Sequence, residues 1–205
     1  MINQKRAIKQ LMAIKKMARD LRLAADGWDE DWKILIATLM SARTTDKITI
    51  PVAQELFDRY DSVKKLSRAR VSEIGKIIRG VNFYKTKARN ISNLAKILVK
   101  DYGGKVPHDF EKLIELPGVG RKTANVFLAE QGQGRIGIDT HCQFISQQMG
   151  WTKNKDQHKI EMDLEKLFPE KYWGDINWIL VRFGQTYPSR ARKREIFKQI
   201  KNHRA

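Results

Sequence analysis

The sequence has 205 residues, and its 40 Lys and Arg against 23 Asp and Glu give a formal net charge of +17. This length fits one globular domain or two small ones, and a hydrophobic share of 41% excludes a disordered chain. Cys142 is the one cysteine of the sequence, which excludes an internal disulfide and any metal site built from several cysteines.

The positive charge is concentrated at the two ends of the chain. Residues 1–22 carry seven basic residues and one acid, and residues 190–205 carry the same numbers. A surplus of this size favours a polyanionic partner, with nucleic acid as the first candidate and an anionic membrane surface as the second. One observation favours the membrane alternative, since residues 3–19 have the pattern of a basic amphipathic helix.

The sequence otherwise gives no sign of a membrane or of secretion. No apolar stretch has the length of a membrane span, and the first residues lack the pattern of a signal peptide. A single cysteine likewise makes no case for an oxidising compartment. We therefore expect a cytoplasmic protein that is associated with the nucleoid and has no membrane partner.

Helical periodicity recurs along the chain. Apolar residues fall on one helix face in residues 31–42 and again in residues 85–102. Pro51 suits the first turn of a further helix. The pair at 103–104 (GG) ends the long helix, and Asp109 opens the next one. Alternation never lasts for the length of a strand, so the predicted fold class is all-α.

The most informative stretch is residues 113–130 (LIELPGVGRKTANVFLAE). A short helix runs into the turn from Pro117 to Gly120, and a second helix begins at about Arg121. Without Cβ atoms, Gly118 and Gly120 let backbone N–H groups approach a partner at a helix N-terminus, which favours anions. The pattern predicts a clamp on DNA phosphates rather than on base edges. The alternative is a helix–turn–helix corner whose glycines serve packing alone.

Four segments of the chain together resemble one known family. LPGVGRKTAN (116–125) resembles the helix-hairpin-helix of the endonuclease III family of DNA glycosylases, and IGIDTH (136–141) resembles its acidic loop. LIATLMSARTTD (35–46) resembles its helix and loop with the Thr-Asp pair, and VNFYKTKARNI (81–91) resembles its DNA-wedge loop with the helix that follows.

The resemblance implies two α-helical lobes with a DNA-binding cleft between them. One lobe has six helices, spans residues 24–134 and ends with the hairpin. The other combines residues 1–23 with residues 135–205. This arrangement would make the two basic ends neighbours in one lobe, so we expect them to form a single cationic surface that binds phosphates.

The resemblance also implies the catalytic residues. It makes Lys122 a nucleophile that attacks the anomeric carbon and holds the sugar as a Schiff base, after which the 3′ phosphate leaves by β-elimination. It makes Asp139 the carboxylate that stabilises the positive charge developing on the sugar. From the residues alone, Lys122 would be surface charge and Asp139 a helix cap, and capping is compatible with the catalytic role.

The resemblance implies DNA contacts at nine further positions. Enzymes that flip a base fill the hole it leaves. This task falls to Arg43, where the family usually has Gln, and to Phe83, where it usually has an aliphatic residue. The other predicted contacts are Gly118, Val119, Gly120, Arg121, Thr123, Lys87 and His141. Surface charge remains the alternative for Arg43, core packing for Phe83 and a structural role for His141.

The implied function is a bifunctional glycosylase and abasic-site lyase that removes damaged, oxidised pyrimidines from double-stranded DNA. A glycosylase for mismatched thymine or uracil, or for alkylated purines, is the first alternative, and a non-catalytic DNA-binding module is the second. Because the four C-terminal cysteines of the family are missing, we expect no iron–sulfur cluster and no metal ligands. The resemblance leaves room for a monovalent cation at the hairpin. We expect the chain to act as a monomer on a damaged base or an abasic site.

Overall fold

The computed structural model describes residues 2–202. These residues form α-helices and two 3-10 turns but no β-strand, so the predicted all-α fold class is confirmed. None of the helices in this described part is long and apolar enough to cross a membrane. In chain order the helices are α1 (Gln4–Met17), α2 (Asp31–Ser41), α3 (Asp46–Arg59), α4 (Val63–Ser67), α5 (Val71–Ile77), α6 (Tyr84–Asp101), α7 (Phe110–Glu115), α8 (Arg121–Glu130), α9 (Thr140–Met149), α10 (Gln157–Leu167), α11 (Trp173–Thr186) and α12 (Arg190–Asn202).

The chain divides into two compact units. The hairpin unit, Arg22–Gln131, holds α2 to α8. The terminal unit combines the segment up to Leu21 with the segment from Gly132 onward, and within the described residues it holds α1 and α9 to α12. The sequence predicts one functional lobe of residues 24–134 and a second that combines residues 1–23 with residues 135–205. This division into functional lobes stays a prediction.

The hairpin unit has seven α-helices where the sequence predicts six. The short helix α4 has five residues, and the Ser62 hydroxyl caps it by accepting a hydrogen bond from the Lys65 N–H. A helix of this length is little more than one turn, so it leaves no periodic pattern in the sequence.

Helix α3 begins earlier than the sequence predicts. Pro51 lies inside α3, whose first residue is Asp46, and not in its first turn. The Thr45 carbonyl accepts hydrogen bonds from the N–H groups of Ile48 and Thr49, which starts the helix ahead of the proline. Because proline has no N–H, the Lys47 carbonyl loses its helical partner. Lys47 is exposed, so water can replace that partner.

Helix ends follow the local signals that the sequence carries. Both Gly103 and Gly104 have positive φ, and the Gly104 N–H donates to the Leu98 carbonyl at 2.8 Å, which closes α6. The side chain of Asp109 caps α7 by accepting a hydrogen bond from the Lys112 N–H at 3.0 Å. The predicted end at 103–104 and the predicted start at Asp109 are therefore confirmed.

Each unit has its own apolar core. In the hairpin unit α2 packs against α3, α6 and α8, and it buries Leu35, Ile36 and Met40 completely. The end of α2 therefore lies next to α6. In the terminal unit α11 packs against α1 and α9, and the rings of Phe183 and Phe197 stack at 5.6 Å to fix α12.

Candidate functional site

The fold of the hairpin unit itself requires a glycine at Gly118 in the hairpin turn. Its φ is 81°, and a Cβ there would lie 2.7 Å from Asn90 Nδ2 and 3.0 Å from Leu39 Cδ1. A side chain would therefore strain the backbone and press on α2 and α6 at once. The turn is closed by a hydrogen bond of 3.0 Å from the Val119 N–H to the Leu116 carbonyl.

Gly120 differs from Gly118 because nothing inside the protein requires a glycine there. Its φ of −94° suits any residue, and apart from its own neighbours along the chain no atom of the described residues lies within 4 Å of the point that a Cβ would occupy. Gly120 is the N-cap of α8 and supplies no side chain for the first-turn N–H groups. The geometry leaves open space beside a helix N-terminus, which is where anions bind.

Three predicted hairpin contacts differ in what they can offer to DNA. Arg121 is exposed, and its guanidinium carbon lies 4.8 Å from the Phe110 ring centroid. Thr123 is buried, so its side chain cannot contact DNA. Its backbone N–H, in the first turn of α8, is the one group that it can offer to a phosphate. Val119 is 4% exposed and its N–H already bonds Leu116, which argues against the predicted contact at Val119.

Lys122 is the second residue of α8 and is partly buried. Lys122 is therefore two residues away from Gly120, in the first turn of the helix whose N-terminus borders the open space. The prediction that the second helix of the hairpin begins at about Arg121 is confirmed.

Arg43 and Phe83 are brought together at the surface of the hairpin unit. Among the described residues they are the two non-glycine residues with positive φ, 57° and 58°. The Arg43 guanidinium carbon lies 5.3 Å from the Phe83 ring centroid. Phe83 is 60% exposed, so the core-packing alternative for this residue is wrong. A large exposed aromatic in a strained backbone conformation points to a contact outside the chain.

Lys87 corrects a prediction. It is 6% exposed, and its Nζ donates to the carbonyl oxygens of Met40 and Ala42, each at 2.7 Å, and to Thr44 Oγ1 at 3.3 Å. Burial lowers the pKa of Lys87 to about 8. A lysine bound on the inside of the unit has no ammonium to offer a phosphate, so it is not the DNA contact expected from the sequence.

In the terminal unit, Asp139 is the N-cap of α9. Its Oδ1 accepts a hydrogen bond of 2.7 Å from the Cys142 N–H, so the predicted cap is confirmed. Lys193 of α12 is 4% exposed and within electrostatic range of this carboxylate. Burial and nearby Arg190 lower the pKa of Lys193, while Asp139 acts to raise it.

His141 is partly buried and packs against α11 of the terminal unit. A Cβ on Gly184 would lie 2.1 Å from His141 Nδ1, so the glycine of α11 leaves the space that the imidazole fills. This contact favours the structural role for His141 over the predicted contact with DNA.

Sequence reasoning missed Asn82 and assigned Lys87 to DNA instead of to the inside of the unit. Asn82, whose side-chain amide donates to the Arg43 carbonyl, has no signal in the sequence. Lys87 has one, because it follows the spacing of the buried face of α6 with Ile91, Leu94 and Leu98. A lysine at a position where the pattern demands an apolar residue indicates a buried amine with internal partners.

The sequence profile of the HhH-GPD superfamily of base excision DNA repair proteins matches residues 36–170. The chain is 36% identical to endonuclease III of Thermotoga maritima over 196 residues, which cover 93% of this chain and 91% of that protein. It is 35% identical to endonuclease III of Synechocystis sp. over 184 residues, which cover 89% of this chain and 84% of that protein. A solved structure of a trapped endonuclease III–DNA covalent intermediate superimposes with a TM-score of 0.85 at 30% identity, covering 92% of this chain and 89% of that one.

The turn from Pro117 to Gly120 between α7 and α8 forms a helix-hairpin-helix, and the matching profile places this fold among base excision DNA repair proteins. The chain belongs to the HhH-GPD superfamily of base excision DNA repair proteins. It is an enzyme of the endonuclease III type, a DNA glycosylase with AP lyase activity whose partner is DNA.

The iron–sulfur cluster of the family does not fit the residues present. Such a cluster needs four thiolates, and Cys142, the one cysteine, is buried in α9. Within residues 2–202 no group of three or more His, Cys, Asp or Glu is placed to hold a metal ion.

Proposed function

We propose that the protein excises oxidised pyrimidines from double-stranded DNA and then nicks the abasic site through Lys122. The observation that carries the proposal is the position of Lys122, two residues after a glycine whose missing side chain leaves open space at a helix N-terminus. A backbone phosphate bound at that N-terminus would hold a nucleotide beside the lysine amine.

The proposed reaction has two stages. The neutral Lys122 amine attacks C1′ of the flipped nucleotide, a C1′–N bond forms, the glycosidic bond breaks, and the base leaves with a proton. The sugar ring opens to a Schiff base, which acidifies C2′. Loss of a C2′ proton then breaks the C3′–O bond and releases the 3′ phosphate, and water hydrolyses the imine to restore the lysine.

Asp139 would stabilise the positive charge that develops on the sugar as the glycosidic bond breaks. In this reaction Lys122 and Asp139 act on the same nucleotide. All residues with a role belong to a single chain, so a monomer suffices. No step is assigned to a cluster or to a cation at the hairpin.

The remaining contacts divide into two groups. Gly118, Gly120 and Arg121 would position the phosphate backbone without reading sequence. Arg43 and Phe83 would occupy the hole left by the flipped base.

Arg43 also favours a second candidate function, the removal of thymine or uracil opposite guanine. A guanidinium can donate two hydrogen bonds to O6 and N7 of guanine, and Arg43 stands where the family usually has Gln. An enzyme of this second kind would release thymine from a T·G duplex, with or without strand scission.

The test uses duplexes that carry thymine glycol, 5-hydroxycytosine, T·G, U·G, an alkylated purine or an abasic site, each incubated with borohydride. Wild type and Lys96→Gln, an exposed lysine on α6, should form a covalent adduct, and Lys122→Gln should form none. The strongest adduct should appear with an oxidised pyrimidine. A wild-type protein that neither traps nor nicks the abasic duplex would refute the bifunctional mechanism, and preferential release of thymine from T·G would favour the second candidate.

A further inference from the structure

The turn that follows α2 is held from inside the protein. At a helix end the last carbonyls have no partner in the helix. The Leu39 carbonyl accepts from the Ala42 N–H and the Ser41 carbonyl from the Thr44 N–H. The Met40 carbonyl, between them, accepts from Lys87 of α6.

Lys87 donates hydrogen bonds to this turn on both sides of Arg43. An ammonium group has three donors, and three oxygens surround this one: the Met40 and Ala42 carbonyls before Arg43 and the Thr44 hydroxyl after it. These acceptors are dipoles and not carboxylates. Burial of a cation among dipoles alone is costly, so its presence suggests that a role of the turn requires it.

A second loop is fastened to the same turn. The Asn82 N–H donates to Thr44 Oγ1 at 3.1 Å, and the Asn82 side-chain amide donates to the Arg43 carbonyl. Thr44 Oγ1 therefore accepts from both Asn82 and Lys87. Phe83 follows Asn82 directly and stands before α6 as its N-cap in a left-handed conformation. The two strained residues are thus tied together through Asn82, which bonds the Arg43 carbonyl and the Thr44 hydroxyl.

We propose that Lys87 is a positioning residue which locks the Arg43 turn to the Phe83 turn, so that both side chains enter DNA as one preformed wedge. The proposal rests on the proposed function, because it deepens the base-flipping step. A wedge that is already ordered loses less conformational entropy when it enters the duplex. Lys87 touches neither substrate nor reacting atoms and acts only through the two turns.

The decisive comparison separates flipping from chemistry. Lys87→Met removes all three donors and keeps a long side chain, and Lys96→Met is the matched control on the exposed face of α6. Each variant is assayed in single turnover on a lesion duplex, which requires flipping, and by borohydride trapping on a single-stranded abasic oligonucleotide, which does not. We expect Lys87→Met to slow duplex excision by about 10-fold to 100-fold and to leave single-strand trapping unchanged.

A second readout is independent of the lysine chemistry. In a Lys122→Gln background, a 2-aminopurine beside the lesion should brighten on binding, and Lys87→Met should remove most of that change while Lys96→Met keeps it. If Lys87→Met lost duplex excision and single-strand trapping to the same extent, the proposal would be overturned. A 2-aminopurine signal that Lys87→Met leaves unchanged would overturn it as well. Wild type that traps neither the single strand nor an abasic duplex would instead refute the Lys122 mechanism, and the fluorescence arm would still decide the role of Lys87.

Asn82→Ala keeps the proposal testable if Lys87→Met does not fold. Asn82 is exposed, so its truncation removes the link to Arg43 without opening the core. We expect a smaller loss of duplex excision with the same sparing of single-strand trapping. An Asn82→Ala protein with wild-type excision and wild-type fluorescence would contradict the proposal that the bond from Asn82 to the Arg43 carbonyl holds the two turns together.

Discussion

At the scale of single residues, the two glycines of the hairpin turn lack side chains for different reasons. Gly118 has a positive φ and is hemmed in by Asn90 and Leu39, whereas Gly120 has an ordinary φ and open space around it. The first glycine serves the fold, and the second leaves room for a partner. Only the second is a direct sign of function.

This contrast predicts opposite results for two alanine substitutions. Gly118→Ala should lower the free energy of unfolding by about 2 kcal/mol or more, since the left-handed backbone alone costs ~1–2 kcal/mol. Gly120→Ala should change stability by less than about 1 kcal/mol, because the lower entropy of the unfolded chain opposes the poorer N-cap that alanine makes, yet it should weaken binding to an abasic duplex. Urea denaturation and fluorescence anisotropy measure the two effects. Wild-type DNA affinity in a folded Gly120→Ala protein would contradict the anion site.

Single residues also mark where sequence reasoning succeeded and failed. The cap of α9 at Asp139 and the end of α6 at 103–104 were predictable because the signal and its effect lie within a few residues. The spacing of α6 could have indicated that Lys87 is buried, but its acceptors could not be predicted, because they lie 43 to 47 positions away along the chain. Only the packing of α6 against the end of α2 creates that site.

At the scale of elements, Lys87 links α6 to the end of α2, and its pKa of about 8 makes that link sensitive to pH. The usual pKa of the group is 10.5, so the folded protein loses this proton at a lower pH than the unfolded chain. Between those values the unfolded chain binds more protons, and stability contributed at this site rises with pH. The ammonium that orders the turn is lost over the same range.

We therefore expect the unfolding free energy of wild type, measured against that of Lys87→Met, to increase between pH 8 and pH 10.5. Base flipping by wild type should weaken as pH rises above 8, while any flipping left in Lys87→Met should not depend on this ionisation. Denaturation series at several pH values, with Lys96→Met as a control for an exposed lysine, give the difference. A stability difference that stays flat across this range would mean that the amine does not titrate there.

Local contacts explain two differences between the predicted and the observed helices. Helix α3 starts at Asp46 because the Thr45 carbonyl gathers two N–H groups, a contact that outweighs the proline signal at position 51. Helix α4 exists because Ser62 caps a single turn. Long amphipathic helices such as α6 were predictable since their apolar period is sustained.

At the scale of the whole molecule, the basic ends of the chain are neighbours in the terminal unit. The Arg6 guanidinium of α1 donates to the Lys201 carbonyl of α12 at 3.0 Å. Most basic residues of α12 are exposed, but Lys193 is buried and does not contribute to the surface. The charge of +17 is therefore partly gathered on one unit. That this surface binds phosphates stays a prediction.

Salt dependence tests the cationic surface. Neutralising Lys5, Arg194 and Lys198, all exposed, should flatten the slope of log affinity against log salt by up to about 2.7, because each phosphate contact contributes ~0.9. Trapping at low salt should persist. The matched control neutralises Lys96, Lys100 and Lys105 of the hairpin unit. Equal flattening by both triple variants would mean that net charge matters and the surface does not.

The central claim is that Lys122 forms the covalent bond to the sugar. Wild-type protein reduced with borohydride on an abasic duplex is digested with protease and nuclease, and the modified peptide is sequenced by mass spectrometry. We predict one sugar remnant, on Lys122. A remnant on any other lysine or on the N-terminal amine, with Lys122 unmodified, would contradict the claim.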